Sequence, residues 1–332
     1  MPIASACRGD SSLPCPGGSP GFVPLSTPVD PTSTPGKPGA AAPATAAVQN
    51  HWQSVRDHSR VFGEFTYVYP VVSRRSRGLS IGINLNPDKA CNFDCVYCEV
   101  DRRTPPATRH LDLLKARAEL CRLVDGALAG ELAKDPKFAE TGDLTRHIRD
   151  IAFSGDGEPT LVHNFPECVQ MAADVRRSRH LDDTKIVLIT DAAGLDKASV
   201  REGLALMDAN HGEVWAKLDA GTEGYFRAVS RSSVPFQRIL ANLKATARER
   251  PIIIQSLFLK LHGVRMPPGE LDAYCDRLRE IIEAGGRISE VHAYTVARPT
   301  PEAWATRLEP AELEEVAGVI RSRTGLPVSC FP

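Results

Sequence analysis

Six short apolar runs recur along the chain, at residues 79–85, 148–153, 185–189, 213–217, 252–259 and 289–294. Each has the length and the β-branched content of a buried strand. After each comes a longer stretch in which apolar residues return every three or four positions, near 109–132, 161–178, 195–208, 235–248, 269–284 and 310–323. In the fifth of these, Leu271, Tyr274, Leu278, Ile281 and Ile282 make one helical stripe. The sixth begins after Glu309–Pro310, where proline suits a first helical turn. Strand and helix in alternation predict an α/β fold with a parallel sheet, curled by right-handed crossovers into a partial (β/α)6 TIM-like barrel. Such folds work at the C-terminal ends of their strands. Chemistry-bearing residues are therefore expected just after each apolar run.

Composition changes the picture only at the start. Residues 1–48 hold ten of the 26 prolines and a single aromatic, Phe22. Such a segment buries too little apolar surface to offset its ordering entropy. The expected division is a disordered leader over 1–48, a core domain over 49–300, and a C-terminal helical extension packed on the core over 301–332. A formal net charge of -1 over 332 residues provides no global attraction to nucleic acid or to anionic membranes. No apolar run approaches the length of a spanning helix, and no basic-then-apolar secretory signal opens the chain. A cytoplasmic address is expected. The nine cysteines fit a reducing compartment, because their number is odd and six are scattered singly. Two of those six, Cys7 and Cys15, lie in the leader.

The other three cysteines are clustered. The first apolar run leads into NPDKACNFDCVYCEVDR, which spaces Cys91, Cys95 and Cys98 as C-x-x-x-C-x-x-C. Three thiolates on one loop can ligate three irons of a 4Fe-4S cubane and leave the fourth iron open to a further ligand. Two other uses of such thiols differ in what they need. Structural zinc takes four protein ligands, and only His110 is a nearby downstream histidine. A ferredoxin-like carrier needs a fourth cysteine for each cluster. A zinc or iron–sulfur protein without catalysis, acting in electron transfer, redox sensing or partner binding, is the alternative to an enzyme.

Polar residues also follow the later runs. The second ends in FSGDGEPTL, where Gly155 and Gly157 allow tight turns and close approach of a ligand. Glu158 there is either a site carboxylate or the cap of the next helix. The third run leads into Thr190 and Asp191. In the fourth, Lys217 and Asp219 are two residues apart and share a strand face, as a buried ion pair or as site groups. Gln255, Ser256, Lys260, Tyr294, Thr295 and Arg298 belong to the last two. Arg74, Arg75 and Arg77 precede the first run, which puts them at its N-terminal end unless the segment folds back over the mouth. Arg102 and Arg103 follow the cysteines and suit carboxylates or phosphates. The basic run 176–180 closes a helix, where cations meet the C-terminal dipole.

The cysteine spacing, with Tyr97 before the third cysteine, resembles the signature of the radical S-adenosylmethionine superfamily. The ordered segments SGDGEPTL, KLDAG and YTVARPTPE resemble a branch of iron–sulfur oxidoreductases related to the wyosine-forming transfer-RNA enzymes, over residues 65–328. The resemblance implies a radical S-adenosylmethionine core domain over 49–300. It also implies that S-adenosylmethionine chelates the open iron. One electron then splits the molecule, and a 5′-deoxyadenosyl radical takes hydrogen from a substrate. It assigns cofactor binding to Tyr97, Gly155, Gly157, Glu158, Thr190 and Asp219, with Glu158 against the ammonium group and Asp219 against a hydroxyl. Asp191 and Ala192 depart from the usual Thr-Asn-Gly. A reductase, flavodoxin or ferredoxin would supply the electron. Transfer RNA is one substrate the branch suggests; a small molecule or a peptide is the alternative. The wyosine-type enzymes carry a second cluster on further upstream cysteines, and here only Cys7 and Cys15 stand upstream.

Overall fold

The computed structural model describes residues 62–332 apart from 74, 107, 140 and 146; the leader, with Cys7 and Cys15, lies outside the described residues. The strands are β1 (Val68–Ser73), β2 (Gly78–Ile83), β3 (Ile148–Phe153), β4 (Lys185–Thr190), β5 (Gly212–Lys217) and β6 (Ile252–Leu257). They continue with β7 (Leu259–Leu261), β8 (Val264–Arg265), β9 (Ile288–Tyr294), β10 (Ala305–Arg307) and β11 (Val328–Phe331). Eight of them form one sheet in the order β1-β2-β3-β4-β5-β6-β9-β11, and β10-β7-β8 form a small second sheet. In the main sheet β1 is antiparallel to β2 and every other pair is parallel. It curls into a half-barrel.

The helices are α1 (Leu113–Leu128), α2 (Phe165–Ser178), α3 (Ala198–Asp208), α4 (Glu223–Ser230), α5 (Phe236–Glu249), α6 (Pro268–Glu283) and α7 (Pro310–Thr324). Strand alternation divides the apolar residues between two faces. Ile81, Ile83, Ile151, Phe153, Ile186, Leu188, Val214, Ile254 and Val291 join the helices in the main core. Each such burial is worth about 1.5–3 kcal/mol relative to exposure. On the other face Ala152, Val187, Trp215 and Ile253 form a separate small cluster. The buried polar side chains of Ser80, Asp150, Gln255 and His292 share the sheet with it. The concave side is the polar side.

The six expected strands and six expected helices are present, with ends moved by a few residues. The run 252–259 is split, because β6 stops at Leu257 and β7 starts at Leu259. Elements that the periodicity did not predict are short or at edges. β1 contains Pro70, which has no N–H for a ladder and is tolerated at an edge. β11 has four residues and pairs with β9 in parallel. α4 has eight residues, little more than two turns. In the last part of the chain α7 begins at Pro310, and a capping box of Glu309 and Glu312 closes its first turn. No helix of the described residues is long and apolar enough to cross a membrane.

Candidate active site

The chain leaves β2 at Ile83 and crosses the C-terminal mouth of the half-barrel. There Cys91, Cys95 and Cys98 all line one cavity of about 320 Å³. The loop is held by the end of α4, whose last carbonyls have no partner within the helix. Val96 N donates to Val229 O at 2.9 Å and Asp94 N to Ser230 O at 3.0 Å. The Ser232 hydroxyl donates to Asn92 O at 3.0 Å. Phe93 meets the Phe226 ring edge-on at 5.4 Å, and Phe226 stacks on Phe236 at 5.0 Å. The helix that periodicity did not predict thus fixes the loop that the cysteine spacing did.

Gly155 and Gly157, after β3, both line the cavity, but their nearest neighbours belong to the cysteine loop. A Cβ on Gly155 would lie 2.3 Å from Asn84 Oδ1, and one on Gly157 would lie 1.9 Å from Ala90 O. Close approach is needed here, and the approaching groups are the Asn84 side chain at Gly155 and the Ala90 carbonyl at Gly157. Asp156, between the two glycines, receives a hydrogen bond from Asn84 Nδ2 at 2.7 Å.

Glu158 is buried, and four donors meet its carboxylate. Its Oε1 accepts from Thr160 N at 3.1 Å, from Thr160 Oγ1 at 2.6 Å and from Thr190 Oγ1 at 2.6 Å. Its Oε2 accepts from Asp191 N at 2.7 Å. Glu158 therefore caps the short turn at Pro159–Leu161 and ties β3 to β4. Its neighbour Asp191 is also buried, with Oδ2 4.0 Å from Cys91 Sγ. Burial, and then the Glu158 carboxylate, hold the Asp191 carboxyl well above the usual range. Two buried acids thus stand on one side of the cysteines, where a cationic ligand would relieve them.

Across the mouth is a second network. Tyr97 donates its hydroxyl to Asp219. The other Asp219 oxygen accepts from Leu257 N at 2.8 Å. Lys217 Nζ lies 3.7 Å from Asp219 Oδ2, 3.7 Å from Cys95 Sγ and 4.7 Å from the centre of the Tyr97 ring. Burial alone would lower the Lys217 ammonium; the Cys95 sulfur and the Asp219 carboxylate outweigh it and hold the group well above its ordinary value. Tyr97 and Lys217 line the cavity, whereas Asp219 stands behind them as their brace.

The basic residues separate clearly. Arg102 donates to Lys89 O at 3.0 Å and comes within 4.0 Å of Cys98 Sγ. Arg298 pairs with Glu99, the residue after Cys98. Arg103 and Arg77 are exposed. In the run that closes α2, Arg176 donates to Thr184 O and Arg179 to Asp125, which are structural uses. Arg75 starts at the far end of β2, as its position in sequence requires, yet its side chain rises into the cavity. Sequence reasoning missed that reach, and it left Asp191 and Lys217 in doubt. Their strand-end positions were the available signal.

The donor set fits a cluster. Cys91, Cys95 and Cys98 are free thiols. Burial pushes the Cys95 thiol up to about 12 despite Lys217, and burial with Asp191 raises Cys91. Thiols so placed stay protonated at neutral pH until a metal takes the proton's place. Lys217 and Arg102 beside two of the sulfurs suit anionic thiolates. Among the described residues, no three His, Cys, Asp or Glu close on one point as ligands of a single metal ion do. In a cubane each sulfur binds its own iron, so the three stand farther apart. His110 is exposed and outside the cavity lining.

Fold and mouth together make a half-barrel with the three-cysteine loop after its first parallel strand, a fold shared with a solved structure bound to S-adenosylmethionine. Streptococcus suis SuiB bound to S-adenosylmethionine matches it with a TM-score of 0.53 at 13% identity, over 78% of this chain and 52% of that one. In sequence the chain is 30% identical to a UPF0026 protein of Methanocaldococcus jannaschii over 49% of its own length and 43% of the relative's. It is also 25% identical to a Brachyspira hyodysenteriae protein named GTPase Obg, over 59% of this chain and 24% of that protein. The chain thus spans less than half of these curated relatives. A phosphate-binding G-x-x-x-x-G-K-[S/T] loop is missing from this sequence, where no lysine is followed by Ser or Thr. No family model matches.

Proposed function

We propose that this chain is a radical S-adenosylmethionine enzyme. The observation that carries the reading is the convergence of Cys91, Cys95 and Cys98 on one cavity at the mouth, with buried acids on one side and Lys217 on the other. Cys91, Cys95 and Cys98 would hold a 4Fe-4S cluster. When bound, the cluster supplies one electron to S-adenosylmethionine, whose reductive cleavage yields methionine and a 5′-deoxyadenosyl radical that takes hydrogen from substrate.

The protein's own part is positioning and electrostatics. Asp191 and the Glu158-bridged segment present negative potential to the ammonium and sulfonium groups of the cofactor. A cation beside Asp191 favours the ionised form of its carboxyl, whose pKa burial and Glu158 raise. Lys217 balances the Cys95 sulfur and keeps Tyr97 and Asp219 in register. Glu99 holds Arg298 at the rim, beside the third cysteine. Thr190 locks Glu158 and lines the cavity. A reductase, flavodoxin or ferredoxin supplies the electron. A reducing cytoplasm suits a cluster with one open iron.

Anaerobic reconstitution with iron and sulfide, then addition of S-adenosylmethionine and a strong reductant, tests the reading. The expected product is 5′-deoxyadenosine, absent in Cys95→Ala. Full iron loading without cleavage would point to an electron carrier or sensor. Zinc uptake without iron uptake would point to a structural module.

A further inference from the structure

Among the described residues, Arg75 is a cation of the concave face that the proposed reaction does not use. Arg75 sits in the turn between β1 and β2, at the opposite end of the half-barrel from the cysteine loop. Its guanidinium rises inside, 5.6 Å from the centre of the Trp215 ring on β5 and 5.4 Å from that of Tyr294 on β9. It lines the same cavity as the cysteines. Among the described residues no carboxylate comes within 4.0 Å of it, so its charge meets two aromatic faces. The opposing charge it feels is Asp150, a buried carboxyl that already accepts the hydroxyl of Ser80.

The face around it is unfinished as a core. Gln255 Nε2 and His292 Nδ1 are buried with no hydrogen-bond partner. Interiors rarely leave such groups unpaired, and both stand behind the residues that line the cavity. The His292 ring stands edge-on to Trp215 at 5.1 Å and to Phe331 at 5.2 Å, so an aromatic wall backs the cation. Tyr294, 5.4 Å from the guanidinium, lines the cavity together with Cys95. A molecule fixed at Arg75 therefore shares its cavity with the cysteine loop.

We propose that Arg75 anchors the anionic group, carboxylate or phosphate, of a small-molecule substrate lying on the concave face between Trp215 and the cysteine loop. This rests on the reading that the loop holds the cluster. A guanidinium offers a planar fork that matches either oxyanion, and aromatic faces keep it pointed. A cavity of about 320 Å³ suits a small molecule. A transfer RNA would be met by several cations along a surface.

The test uses the full chain after reconstitution, at fixed ionic strength, with inorganic phosphate and succinate as separate probes. Trp215 lies against the guanidinium, so tryptophan fluorescence reports occupancy, over the background of Trp52 and Trp304. A saturable change with one probe is expected, and which probe produces it identifies the oxyanion. Arg75→Met should weaken that binding at least tenfold. Arg75→Lys, which keeps the charge and loses the fork, should weaken it less. No saturable change with either probe, or equal binding by Arg75→Met, would overturn the proposal. Iron content of the same wild-type sample separates the two readings. Arg75-dependent binding without iron uptake would keep the anion site and sink the cluster, and full iron loading with no anion binding would do the reverse.

Discussion

Replacing Gly157 with alanine should damage the cysteine loop through backbone alone. The added Cβ would stand 1.9 Å from Ala90 O and 2.7 Å from Asn86 Cβ, where real contacts stay beyond 3.0 Å. The carbonyl cannot swing aside like the end of a long side chain. It accepts from Glu158 N at 2.9 Å, and Asn86 N is tied to Asn84 Oδ1 at 3.1 Å. Moving the loop by about 1 Å costs the Glu158–Ala90 bond, about 1 kcal/mol. Overpacking adds about 1–3 kcal/mol. The sum is a loss of about 2–4 kcal/mol, with reduced iron retention because Cys91 follows Ala90 directly. Urea unfolding of the metal-free chain measures the first effect, and iron content after desalting measures the second. Gly318→Ala is the control: Gly318 is exposed in the interior of α7 with nothing within 4 Å of a new Cβ, so alanine should stabilise by about 0.5–1 kcal/mol. A Gly157→Ala protein with an unchanged midpoint and full iron content would refute the claim that the two loops interlock through this glycine.

Glu158→Ala would strand two hydroxyls and two backbone N–H groups and should cost about 2–5 kcal/mol in urea unfolding. Glu158→Gln should be nearly as damaging, since its amide turns a donor toward one side of that set; a neutral result would mean the four bonds are not needed together. Phe226→Ala removes the ring between Phe93 and Phe236 and should cost about 3–5 kcal/mol, with faster loss of iron from the loosened loop. For Asp191, whose folded pKa is raised, the folded state binds the proton more tightly than the unfolded chain does. Stability of the metal-free protein should therefore fall as pH rises from the unfolded value of about 3.9 toward the raised one, and Asp191→Asn should flatten that slope in melting scans. An equal slope in both proteins would place the pH dependence elsewhere.

The framework was legible because it depends on local pattern. Strand and helix alternate in the apolar spacing, so the parallel sheet and its helical cover followed from residues 79–323 alone. The cysteines were legible for a similar reason: three ligands on one short loop show their spacing without knowledge of the fold. Gly155, Gly157, Glu158 and Thr190 were found by their place after a strand, yet their contacts were not. Gly157 was expected to let a ligand approach closely; it lines the cavity and has Ala90 O packed against it. Glu158 turned out to be a junction of four hydrogen bonds, and Asp219 a brace for Tyr97 outside the cavity lining. These relations join positions 32 to 122 residues apart, and no periodicity records them.

What the amino-acid sequence determined by itself was the class of fold and the trio of thiols, since both arise from interactions between near neighbours in the chain. Only the tertiary structure decided which face of the sheet is polar, that α4 and β1 exist, and that Arg75, from the wrong end of its strand, reaches into the same cavity as the cysteines. The physical reason is reach. A side chain's direction follows from strand alternation, but what it meets depends on how far the sheet curls. That curl is set by the packing of all the strands and helices together.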